Sequence, residues 1–282
     1  MSVISNHEYE EETPRYSSIG KLQSERPLHL AGSFFLISLI FRIVDIFILE
    51  MNATDFGILP SKVIPLILIL LYLRHSKRKR SDIGIHSKDW RNNVVLAILT
   101  IVVFNGVLIG GNFLTLFILS MQPQLSIYKM DYIVFDLVFQ TANAFMEEML
   151  FRGVMLLCFM AIMSPRGAII LQGFLFGLWH VVWPINSYLG GFISAGAAIG
   201  WSIEYVLSSM MIGLLFGYMF LKTGSLISPI LLHFFVNLLS GYVSVTPSVT
   251  VVKLGFGALA LLLAFTVVFL HTRRESKLER HS

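Results

Sequence analysis

The chain has 282 residues, 55% of them hydrophobic and only 13% charged, with a formal net charge of +4. Soluble domains carry about 25% charged residues, so this composition excludes an ordinary soluble fold. It marks an all-α polytopic membrane protein whose apolar surface faces the lipid bilayer. The basic residues stand beside apolar runs, where they report orientation, so the positive balance is no signal for nucleic acid.

In chain order, residues 1–29 are a polar tail with an acidic patch at Glu10, Glu11 and Glu12, and they lack the apolar core and cleavage site of a signal peptide. Eight apolar segments follow, at 30–50, 56–73, 94–120, 131–162, 167–183, 201–221, 225–245 and 252–271, each near the ~20 residues that span a bilayer. They define a transmembrane helical domain over 30–271 with a motif-bearing core at 131–245, ahead of a basic tail at 272–282. Pro60 and Pro65 shorten or kink the second segment. The fourth is longer than one crossing needs and is therefore tilted, broken or extended. The fifth is expected to stop at Trp183-Pro184.

The loop from Arg74 to Arg91 is dense in lysine and arginine, as is the tail after Arg273, so both belong on the cytoplasmic side and both termini with them. The opposite loops carry only Lys129. Arg42 and Asp45, three apart in the first segment, read as a structural pair. The lone cysteine, Cys158, rules out an intrachain disulfide and reads as a packing residue.

Charge inside the later segments is costly, roughly 2.5–3.5 kcal/mol for each charged side chain at the centre of a spanning helix. Glu147, Glu148 and Arg152 stand together in the fourth. Glu148 and Arg152 are four apart and share a face, and Asn143 and Glu147 have the same spacing on a neighbouring face. Phe176 and His180 repeat the interval in the fifth segment, and His233 and Asn237 in the seventh. A carboxylate activates water, imidazoles hold that water or shuttle a proton, and an amide stabilises an oxyanion; together these suffice for peptide hydrolysis. No Gly-x-Ser-x-Gly elbow and no His-Glu-x-x-His helix is present.

Glu147-Glu148-Met-Leu-Phe-Arg152, Phe176-Gly-Leu-Trp-His180 and His233-Phe-Phe-Val-Asn237, each on its own late helix, resemble the motifs of the CAAX-protease and bacteriocin-processing intramembrane endopeptidases, among them the type II CAAX prenyl endopeptidases. Ser81-Asp-Ile-Gly-Ile-His86 looks like a segment that precedes a helix in such proteins. The resemblance implies an eight-helix fold with an intramembrane cavity, and a peptide or protein substrate, prenylated in one branch. It implies Glu147 as the base, Glu148 and Arg152 as a supporting pair, and His180 as a holder of water or shuttle of protons. His233 and Asn237 would receive the scissile carbonyl. Glu147, His180 and His233 also supply enough ligands for a divalent metal such as zinc, so metal-free and metal-dependent chemistry both stand, the former preferred. Bacteriocin or leader-peptide processing, a proton-coupled transporter and a non-catalytic scaffold are the competing readings.

Overall fold

The computed structural model describes residues 26–50, 59–86, 88–127, 133–246 and 250–281. Most of the polar tail, with its acidic patch, and Lys129 lie outside them.

Helix α1 starts at Pro27, where a missing N–H costs nothing. It runs Pro27–Ile43 and then widens into a π turn over Val44–Ile48. Helix α2, Leu59–His75, keeps Pro65 inside it. A tight turn at Arg80–Ile83 leads to the long α3, Trp90–Ile118. Helix α4 runs Ile133–Glu148, widens over Met149–Leu156 and closes as an ordinary helix at Leu157–Met160. Helix α5, Pro165–Leu178, opens with Pro165 next to Ser164, whose side chain accepts the Gly167 N–H.

The break expected at Trp183-Pro184 falls earlier. Residues 179–181 form a turn and the short α6, Val182–Leu189, follows. Pro184 sits in the first turn of that helix, where no N–H is required of it. Helix α7, Ala195–Thr223, is capped by Ser194 and ends at Gly224 with φ of 68°. Helix α8 is Ile227–Tyr242 and α9 is Thr250–His281. Among the described residues the fold is all-α but for a two-stranded antiparallel ribbon. Its strands, β1 at Gln124–Ile127 and β2 at Val243–Thr246, tie the approach to α4 to the end of α8.

Among the described residues, five helical spans are long and apolar enough to cross a bilayer: Pro27–Ile48, Trp90–Ile118, Pro165–Leu189, Ala195–Thr223 and Lys253–Glu275. The protein is thus an all-α integral membrane protein. Of the eight expected segments, the three that fall short of this standard are α2, α4 and α8. These three carry Lys62, Glu147, Glu148, Arg152 and His233, while the buried Arg42 and Asp45 stand on the apolar span Pro27–Ile48.

The buried apolar side chains form two clusters. One joins α1, α2, α4 and α5 through residues such as Phe34, Ile69, Phe151 and Trp179. The other joins α3, α7, α8 and α9 through Leu96, Phe216, Leu232 and Ala264. Phe176 of the first cluster and Phe216 of the second lie 6.4 Å apart, edge to face. Arg152 and His233 each lie against both of these rings.

Segment 81–86 does more than precede a helix. Gly84 adopts a φ of 85° that only glycine takes readily, and a Cβ there would lie 2.5 Å from the Phe220 ring. Its carbonyl accepts the Leu226 N–H at 2.9 Å, and His86 Nε2 bonds the Gly224 carbonyl at 3.0 Å. Ile83, fully buried, packs beside Gly153 of the widened part of α4. The segment therefore docks onto the start of α8.

Candidate active site

An ionised carboxylate in an apolar interior needs counter-charge and donors. Glu147, buried on α4, receives both on one oxygen. Its Oε1 lies 2.5 Å from Lys62 Nζ of α2 and 3.5 Å from the Arg42 guanidinium of α1, and it accepts the Trp179 indole N–H at 2.9 Å. The Arg42 guanidinium also lies over the Trp179 ring at 4.6 Å, and Lys62 Nζ over the same ring at 5.4 Å. The second oxygen, Oε2, is buried with no hydrogen-bond partner among the described residues, and His233 Nε2 lies 3.7 Å from it. That separation is too long for a direct hydrogen bond.

Glu148, the next residue, takes the other side of the same imidazole. Its Oε1 lies 2.7 Å from His233 Nδ1 and 2.8 Å from Arg152 Nη1. A carboxylate only accepts, so His233 in its neutral form carries its proton on Nδ1 and leaves a lone pair on Nε2, facing Glu147. The two glutamates do not separate onto unrelated faces, as helical spacing alone suggests. Neighbours on a helix diverge by about 100°, and one imidazole spans that angle with its two nitrogens. Arg152 also donates to the Gly213 carbonyl of α7 at 3.2 Å and lies over the faces of Phe176 and Phe216, at 4.4 and 5.0 Å.

His180 lies in the turn after α5. Its Nδ1 sits 2.8 Å from the Phe176 carbonyl, which cannot donate, so this nitrogen is the N–H and Nε2 is the free acceptor. Phe176 is an aromatic hub, 4.9 Å from the His180 ring and 5.9 Å from the His233 ring. His233 stacks on Phe216 at 5.2 Å. Asn237, one turn beyond His233, donates its amide to Gln140 Oε1 at 3.2 Å. Farther along the same pair of helices, Tyr242 hydrogen-bonds Asp136. The structure thus brings Glu147, Glu148, Arg152 and His233 into one network. It places His180 beside that network through Phe176, and it holds Asn237 against α4 through Gln140.

Two departures from the sequence-based expectation stand out. Arg42 and Asp45 do not pair with each other. Arg42 turns to Glu147, while Asp45 Oδ2 accepts the Ser61 backbone N–H at 2.7 Å. Ser61 is in the first turn of α2, where N–H groups lack helical partners, and a carboxylate satisfies one of them. Lys62, Trp179 and Gln140 were missed. Lys62 had a signal, as a cation set in the apolar run of α2. Trp179 stood inside the Phe-Gly-Leu-Trp-His motif as an apparent filler. The buried cluster comprises Arg42, Lys62 and Arg152 against Asp45, Glu147 and Glu148, three formal charges of each sign.

Glu147, His180 and His233, the residues able to ligate zinc if a metal were used, are not drawn together as a ligand set. Among the described residues no three His, Cys, Asp or Glu side chains converge to hold a metal ion. One oxygen of Glu147 is already flanked by an ammonium and a guanidinium, which repel a third cation. The donor set does not fit a divalent metal.

No curated protein and no solved structure matches the chain. Residues 129–239, the stretch that carries all three motifs, match the family model described as type II CAAX prenyl endopeptidase Rce1-like.

Proposed function

We propose that the protein is an intramembrane endopeptidase in which Glu147 activates water against a peptide bond of a membrane-associated substrate. The observation that carries this reading is the asymmetry of Glu147. Oε1 is saturated by donors, while Oε2 is buried, unpartnered and turned towards the bare Nε2 of His233. A water between these two acceptors gives one hydrogen to each.

In the reaction Glu147 Oε2 takes a proton as the water oxygen bonds to the scissile carbonyl carbon. The carbonyl oxygen becomes an oxyanion, for which the Asn237 amide, held by Gln140, is the donor. Collapse of the intermediate breaks the C–N bond, and the proton on Glu147 passes to the departing amine. Glu148 and Arg152 fix the tautomer and orientation of His233, and His180 Nε2 holds the water or relays protons. The ammonium and guanidinium already beside Glu147 favour a metal-free course. We further propose eight membrane crossings, with α2, α4 and α8 added to the five apolar spans and both termini cytoplasmic, since the basic loop after α2 and the basic end of α9 then share one side. The substrate proposed is a peptide with a prenylated C-terminus.

The test is cleavage of farnesylated and unmodified peptides by detergent-purified protein, with and without a strong chelator. Native protein should cleave the farnesylated peptide at equal rates in both buffers. Glu147→Gln and His233→Ala should each lose at least about 100-fold in kcat. Cleavage by Glu147→Gln at the native rate would remove Glu147 from the chemistry. Preference for the unmodified peptide would reassign the substrate to an unprenylated leader or anchored peptide.

A further inference from the structure

We infer that Lys62, on α2 and outside all three motifs, is a positioning residue for the base, its ammonium holding Oε1 of Glu147 so that Oε2 alone is presented to water. The inference rests on the reading of Glu147 as that base.

Lys62 is 1% exposed and its one carboxylate contact among the described residues is Glu147, at 2.5 Å. A side chain needed only to fill space at that point in an apolar helix would be Met or Leu, which avoid the insertion cost of a charge. Neutralising Glu147 does not alone explain the lysine, because Arg42 already lies 3.5 Å from the same oxygen. What Lys62 adds is direction. A carboxylate has two equivalent oxygens and rotates about its terminal bond with broad freedom. Two short contacts on Oε1, from the ammonium and from the Trp179 indole, break that equivalence.

The three groups come from separate parts of the chain: Lys62 from α2, Glu147 from α4 and Trp179 from the turn after α5. The clamp therefore forms only when these parts are packed together. It approaches Glu147 on the oxygen that does not face His233. Loss of the ammonium should leave the substrate site intact and let the carboxylate turn. A misplacement of about 1 Å at a reacting group lowers a rate about 100-fold.

The experiment compares Lys62→Met, Lys62→Arg and Glu147→Gln in full-length protein, on whichever peptide the native protein cleaves, with thermal melting to verify folding. Lys62→Met should lower kcat about 100-fold, with KM within about threefold, and Lys62→Arg should recover at least about tenfold of the loss. A residue that merely held the helices together would move melting temperature without this split and without rescue by the cation. Should Lys62→Met fail to fold, Lys62→Gln, which keeps an N–H donor without the charge, carries the same expectation of a loss above about tenfold. If folded Lys62→Met or Lys62→Gln turns over within about twofold of native while Glu147→Gln is inactive, the role of Lys62 is overturned and that of Glu147 stands. Full activity in Glu147→Gln overturns both.

Discussion

At the scale of single residues, the chemistry rests on how many donors each carboxylate oxygen receives. Glu147 Oε1 accepts from an ammonium and an indole N–H with a guanidinium 3.5 Å away, and Glu148 Oε1 accepts from an imidazole and a guanidinium. Removing a donor from a buried charge costs more than the bond itself, because the remaining group is left underpaired. Trp179→Phe keeps the aromatic face under Arg42 and removes only the N–H. It should lower stability by about 1–3 kcal/mol, seen as a drop in melting temperature, and reduce kcat more than KM. An unchanged melt and an unchanged kcat would show that the indole contributes packing alone. The motif residues were legible in the sequence because helical spacing and the cost of buried charge make polar groups conspicuous there. Lys62 was less legible because it stands 85 residues from its partner, and a lone lysine carries no interval to read. Asp45 was misassigned for the opposite reason. It had a tempting partner three residues away, while its true partner is a backbone N–H at position 61, outside any side-chain pattern.

At the scale of elements, the widened turns of α1 and α4 adjoin the charges. Val44–Ile48 begins two residues after Arg42, and Met149–Leu156 begins directly after Glu148. Such turns are rare and gather at functional sites. Here they alter the angle at which residues after the charges face their neighbours. Sequence periodicity did not reveal them, since a π turn leaves no compositional mark; it showed only that the fourth segment was too long for one crossing. The α5–α7 contact is set by glycine. A Cβ on Gly177 would lie 2.4 Å from the Val206 carbonyl oxygen of α7, a backbone atom that cannot step aside. Gly177→Ala should therefore part the two helices, lowering stability by about 1–3 kcal/mol. It should also reduce cleavage, because Trp179 and His180 follow directly on that helix. A native melting temperature in this variant would show that the contact yields without strain.

At the scale of the whole molecule, two apolar clusters meet along a seam, with Trp179 in the first cluster and His233 between Phe176 and Phe216 where the clusters touch. Lys62, the two glutamates and His233 stand on helices outside the plain spanning class, while Arg42, Trp179 and His180 come from spans within it. The buried cluster of three cations and three carboxylates has an electrical consequence. A transmembrane voltage does work of about 2.3 kcal/mol per elementary charge per 100 mV, yet groups of opposite sign moving together exchange none with the field. An enzyme with this centre in an energised membrane should be indifferent to the state of charge of that membrane. In sealed vesicles, cleavage should run equally fast at zero potential and at a potassium diffusion potential of about 100 mV. A severalfold dependence on voltage would mean that net charge crosses the field during turnover.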